Sequence, residues 1–266
     1  MLSRALKMAF WVSYDHLGKL LVVNLASSVL CALPVAAAAA VVPHLSGRVF
    51  LGCLLAACAA LFMAGFSCAV ALAWMVRSLI ETRDGSVGMF FAGLCRFGLR
   101  GAALGLCYLF AGSCLLSSVW FYAARVGLEH PVTGYGLSAV ALWAAVLLLL
   151  TVPAAVPAMV HKRLGPFGAV RLAVLLVAGN PLYFAGVGVY SALMAAVAVL
   201  VPVLLLCFAL APLTVLHCAA YEMLARRYAA VEAARVSGAP VRVDFDDAND
   251  DYLNRGFRDL LFPWKG

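Results

Sequence analysis

Residues 20–42 read LLVVNLASSVLCALPVAAAAAVV, twenty-three consecutive positions without an acid or a base. A helix rises about 1.5 Å per residue, so a run of this length reaches across a hydrocarbon core about 30 Å thick. It starts too late and lasts too long for the core of a signal peptide, roughly 7–15 residues, although the alanines at 36–40 imitate a cleavage site. The expectation is a retained membrane span.

Working outward, residues 50–76, 101–124, 137–160, 183–201 and 203–221 repeat the pattern. The whole chain is 66% apolar and 12% charged, with a mean hydropathy of +1.03. Soluble domains run near 45–50% apolar and about 25% charged, so a soluble fold is excluded. The predicted fold class is an all-α membrane protein, a polytopic bundle of about six transmembrane helices in one domain over residues 1–236. An acidic cytoplasmic tail follows at 237–266.

Charge orients the bundle. With six spans, the segments on one side hold three, four, three and seven Lys or Arg, which is seventeen of the nineteen in the chain. Arg48 and Arg125 are left on the other side. A Pro-kinked single helix through Pro202 would give five spans and send the seven C-terminal charges across. The positive-inside bias favours six spans with both termini cytoplasmic. The formal charge of +7 is explained by that topology and needs no nucleic acid.

Each pair of spans is preceded by a basic segment with apolar residues at helical spacing. Leu6, Phe10, Tyr14 and Leu17 form the first set. Val87, Phe90, Phe91, Leu94 and Phe97 form the second, and Phe167, Val170 and Val174 a weaker third. Such stripes fit amphipathic interfacial helices on the cytoplasmic side, with extensions of the spans themselves as the competing reading.

Chemistry is harder to find. The six spans as drawn carry no acid, no base and no central His, which argues against a proton- or cation-driven transporter or a voltage sensor. Asn24, Ser27 and Ser28, and likewise Ser113, Ser117 and Ser118, read as interhelical hydrogen-bonding groups. Gly101 and Gly105 form a small-xxx-small pair, a spacing that also arises by chance in a chain this rich in Gly and Ala. Pro153 and Pro157, with Pro212, are candidates for kinks that shape a cavity. The nine cysteines form no C-x-x-C and lie mostly in apolar runs, as small hydrophobes do. Residues 247–258 fail as a calcium loop, having Tyr252 where Gly belongs and Arg258 where Glu belongs. No metalloprotease, P-loop or nucleophile-elbow motif occurs, so no catalytic residue, cofactor or metal is expected. A membrane enzyme would have to draw on Asp15, His16 and Glu222.

The tail reads differently. Residues 238–266 hold six Asp against four basic residues, and the chain closes on Leu260, Leu261, Phe262 and Trp264. An acidic stretch followed by an apolar hook reads as a docking segment, either for a partner or for the protein's own basic face.

The order of these features resembles the YesL-like family of bacterial integral membrane proteins, whose function is unknown. The resemblance spans roughly residues 5–225. It is carried by Phe10, Trp11 and Tyr14 running into 20–25 and Cys31-Ala32-Leu33-Pro34, and by the basic segment with Phe90, Phe91 and Phe97. The proline-bearing fourth span leading to His161-Lys162-Arg163, and Ala178-Gly179-Asn180-Pro181, complete it. It implies no catalytic residues and an accessory role beside a sugar-uptake transporter in the bacterial inner membrane. The leading expectation is therefore a non-enzymatic accessory or scaffold protein. The alternative is an uncoupled transporter or channel for a small solute, its path lined by the bent helices. The expected partners are the lipid bilayer, transporter subunits and further copies of the chain, and not nucleic acid.

Overall fold

The computed structural model describes residues 1–41, 46–201, 203–204, 209–237, 250, 252–256 and 259. All its regular structure among these residues is helical: α1 (Leu2–Asp15), α2 (Leu17–Val41), α3 (Gly47–Glu81), α4 (Val87–Phe121), α5 (Pro131–His161), α6 (Pro166–Gly179), α7 (Pro181–Leu200) and α8 (Leu210–Ser237). A π-helical turn at Tyr122–Val126 and a last turn at Gly127–Glu129 extend α4 toward α5. Five helices are long and apolar enough to cross a membrane, namely α2, α3, α4 with its extension, α5 and α7. This is an all-α integral membrane protein.

The last apolar region is a hairpin. Asn180, just before α7, donates its side-chain amide to the Tyr228 hydroxyl (2.8 Å). Tyr183 donates to the Ala220 carbonyl (2.9 Å), and Ser191 pairs with His217 (3.0 Å). Rising numbers on α7 meet falling numbers on α8, so the two helices are antiparallel and the chain reverses between Leu200 and Leu210. Pro202 itself lies outside the described residues. α8 begins at Leu210; Val203 and Leu204, inside the span drawn from hydropathy as 203–221, are helical as well, and residues 205–208 lie outside the described residues.

The reversal brings Met1 and the segment around Arg255 to one end of the bundle. Arg227 of α8 reaches the Met1 sulfur, and Arg255 pairs with Asp15 at the end of α1.

The basic segments fare differently. α1 is separate from α2, broken at His16. It buries Ala5, Met8 and Val12 while Phe10, Tyr14 and Leu17 face outward. α6 is separate as well. The middle segment is not: Val87–Phe97 forms the first turns of α4, which runs unbroken for 35 residues. Its Phe90 and Phe97 are fully buried, and its Arg96 lies over the Trp74 ring at 5.2 Å.

α3 and α4 make the tightest pair. At Gly93, Gly101 and Gly105 the α4 backbone lies directly on α3, where an added Cβ would sit 3.0, 2.8 and 2.6 Å from backbone atoms of Ala71, Ser67 and Phe62. Ser67 adds an interhelical hydrogen bond to the Gly98 carbonyl (2.8 Å). The small-residue spacing is here a contact, which its sequence frequency alone had not established.

Burial is concentrated toward the end that carries the termini: Cys68–Leu79 of α3, Ala154–Val160 of α5 and Val215–Leu224 of α8. Toward the other end Leu33, Phe110, Trp120 and Trp143 are exposed, the surface that hydrocarbon would cover. Of the polar positions read in the spans, Asn24 makes a contact that crosses helices. It is fully buried, and its Oδ1 accepts the Ala211 N–H (2.8 Å), a first-turn amide of α8 that has no partner within its own helix. Ser27 and Ser118 bond back to carbonyls of their own helices. Replacing Asn24 by leucine should cost about 1 kcal/mol, the usual worth of an N-terminal cap. A detergent thermal midpoint equal to that of the unaltered chain would rule this out.

Candidate functional site

The tail returns to the bundle. Tyr252 and Leu253 are 3% and 4% exposed, sunk among α1, α3 and α8. The Tyr252 hydroxyl donates to the Leu79 carbonyl (3.1 Å) and lies 3.4 Å from His16 Nε2. The Arg83 guanidinium covers the ring at 5.0 Å. Lys7 donates its ammonium to the Leu253 carbonyl.

Asp250 shapes the segment. Its Oδ1 accepts the N–H groups of Tyr252 (3.0 Å) and Leu253 (3.1 Å), as the cap of a helical turn does, and its backbone carbonyl accepts from Asn254 (2.8 Å). Its Oδ2 pairs with Arg226, which also holds Glu222 at 2.9 Å. Beyond Leu253, Arg255 bridges both carboxylate oxygens of Asp15 (2.7 and 2.6 Å) and stacks over Trp11 at 5.3 Å. A short acidic-to-basic segment is thus pinned by two ion pairs, one on each side of two apolar anchors.

The electrostatics follow. Burial works against the Asp250 carboxylate, but the Arg226 hydrogen bond and the two backbone amides outweigh it and hold its pKa below the usual carboxylate value. Burial, then the Lys19 charge, depress the pKa of His16; Asp15 opposes, while Arg83 and Arg255 add to the depression. Both shifts weaken docking on acidification. A His held neutral contributes stability at high pH that is lost as pH falls below about 6.5, where the released His takes up a proton first. A depressed carboxylate contributes stability above about 3.9 that is lost as pH falls through its folded value. Amide exchange of residues 250–256, corrected for intrinsic rates, should therefore be faster relative to the bundle at about pH 5.5 than at about pH 7.5. Equal protection at both values would count against the role given to His16.

The structure brings together a different set from the one read in the sequence. Leu260, Leu261, Phe262 and Trp264 lie outside the described residues, and the anchors seen against the bundle are Tyr252 and Leu253. Asp15, His16 and Glu222, the candidates for an enzyme, all face the docked segment or its partners: Asp15 holds Arg255, His16 meets Tyr252, and Glu222 holds Arg226. Among the described residues no group of three or more His, Cys, Asp or Glu could hold a metal ion.

Pro153 and Pro157 are buried within α5, and their neighbours Val152 and Val156 line a cavity of about 320 Å³ between α3, α5 and α8. Phe62, Gly65, Phe66 and His217 complete its main walls. Pro212 lines a different recess of about 310 Å³ between α7 and α8. A groove of about 630 Å³ between α4, α5 and α6 carries Arg171 and the exposed Phe167.

No family model, no curated protein and no solved structure matches this chain. Its function has to be read from its own residues.

Proposed function

We propose that this protein is a non-enzymatic accessory component of a solute-transport system in the bacterial inner membrane, with both termini cytoplasmic and the partner bound through the C-terminal tail. The observation that carries this reading is the docked segment at Asp250–Gly256. It fixes the start of the remaining tail against the end of the bundle formed by α1, α3 and α8, and residues 257–266 with their apolar hook follow directly in the chain. The orientation draws on the same geometry: Met1 and the docked segment lie at one end of the bundle, and six spans would put seventeen of the nineteen basic residues on that side.

The test is co-purification from native membranes in mild detergent after crosslinking, with the tag on the N-terminus. The full chain should bring down a transporter subunit near stoichiometry. A truncation after Gly256 should lose that subunit while the bundle keeps its thermal midpoint. An identical set of captured proteins with and without residues 257–266 would end the tail-docking reading. Recovery of the chain alone as a defined oligomer would end the accessory reading altogether.

A further inference from the structure

The cavity beside His217 carries an inference that the accessory role does not require. His217 is 6% exposed, and its Nε2 pairs with Ser191 of α7, a residue outside the cavity lining. The imidazole itself lines the cavity, and its second nitrogen has no hydrogen-bond partner among the described residues. Of the other polar lining groups, the Thr214 hydroxyl is spent on the Leu210 carbonyl of its own helix. Around the imidazole the walls are apolar.

Three features define what does fit. The volume of about 320 Å³ falls at the lower end of the range for small-molecule pockets. Leu61 and Phe62 line it and are also 37% and 40% exposed on the surface that faces lipid, so entry is from the bilayer. Phe62, Phe66 and Tyr108 form a column of nearly parallel rings, with centroids 6.5 and 5.3 Å apart and planes within 18° and 14°. The cavity begins at the Phe62 and Phe66 end of that column, and Gly65 between them leaves open space, with nothing within 4 Å of an added Cβ. A flat ring entering there continues the stack. A carbonyl on that ring accepts the imidazole N–H.

From this we infer that the cavity is a binding site for a neutral, membrane-soluble planar carbonyl compound of the quinone class. Phe62 and Phe66 provide the ring surface, and His217, oriented by Ser191, provides the hydrogen bond.

The experiment uses the full chain in detergent micelles, titrated with menadione as the neutral planar dicarbonyl and with decanoic acid, ionised at neutral pH, as a flexible-chain carboxylate. Binding is read by calorimetry and by the shift in thermal midpoint. Menadione should bind saturably and at least tenfold more tightly than decanoic acid. Gly65→Leu puts a side chain into the cavity from a position where an added Cβ meets nothing within 4 Å, and should weaken menadione at least tenfold, with the ligand-free midpoint unchanged. His217→Leu should weaken it about tenfold as well. Absence of saturable binding, undiminished binding to Gly65→Leu, or equal affinity for decanoic acid would each overturn the assignment. Because the purified chain is used without partners, none of these outcomes bears on the accessory reading.

Discussion

Gly105→Leu should leave little folded protein after extraction, whereas Gly112→Leu, seven residues along the same helix, should extract like the unaltered chain. At position 105 the new Cβ would sit 2.6 Å from the Phe62 carbonyl oxygen and 3.0 Å from its carbon. Those are backbone atoms inside α3, so no rotamer change relieves the clash. The two helices must part, and parting also stretches the Ser67–Gly98 hydrogen bond and opens the contacts at Gly93 and Gly101. Overpacking of this kind costs about 1–3 kcal/mol where side chains can yield, and more where they cannot. At Gly112 nothing lies within 4 Å of an added Cβ. The check is fluorescence-detected size exclusion across a temperature ramp, with both variants beside the unaltered chain. Equal midpoints for the two variants would mean that the α3–α4 approach is not what holds the hairpin.

Hydrophobicity made most of this architecture legible. Runs of about twenty apolar residues have one stable answer in a bilayer, because every backbone polar group must be satisfied within the segment. The spans begun at residues 20, 50, 101, 137 and 183 all start within helices. What the pattern could not settle was continuity. Val87–Phe97 carries aromatics at helical spacing as an interfacial helix would, but with no proline before Gly101 the helix continues through its glycines. α1 and α6 do end, at the junction around His16 and at Asn180-Pro181. Nor could periodicity tell Gly101 and Gly105 from the lipid-facing Gly112, since all three look alike until the partner helix is in place.

The site was less legible for a related reason. Apolarity drew attention to Leu260–Trp264, which lie outside the described residues; among the described ones the anchor is a pair of residues inside the acidic stretch. The cue was present: an aspartate followed at two and three positions by the amides it caps, with a Tyr-Leu pair to bury. Read as a calcium loop, residues 247–258 put Asp247, Asn249 and Asp251 in ligand places and pass over Asp250, which is spent on Arg226 and on the turn's own backbone. The basic partners Lys7, Arg83 and Arg226 come from three regions far apart in sequence, so no local window could have shown the socket.

Tyr252→Ala should release the tail from the bundle without unfolding it. The aromatic ring is the largest group the segment buries, and removing one from a packed site costs about 3–5 kcal/mol. Even the lower figure moves the docked-to-released equilibrium by more than about a hundredfold. The ion pairs cannot compensate, because Arg226–Asp250 and Arg255–Asp15 are partly solvated and such pairs contribute about 1 kcal/mol or less. They fix direction and register once the ring is seated. Tyr252→Phe separates the two contributions, since it keeps the ring under Arg83 and loses the hydrogen bond to Leu79, a change of about 1 kcal/mol. Exchange protection of residues 250–256 should fall in the order Tyr, Phe, Ala, and α1 should lose protection with it, because Lys7, Trp11 and Asp15 all face the segment. If Ala and Phe lose the same amount, the hydroxyl and not the ring is the anchor. If neither variant changes exchange, the segment does not depend on the Tyr252 socket, and the tail must reach any partner without that fixed point.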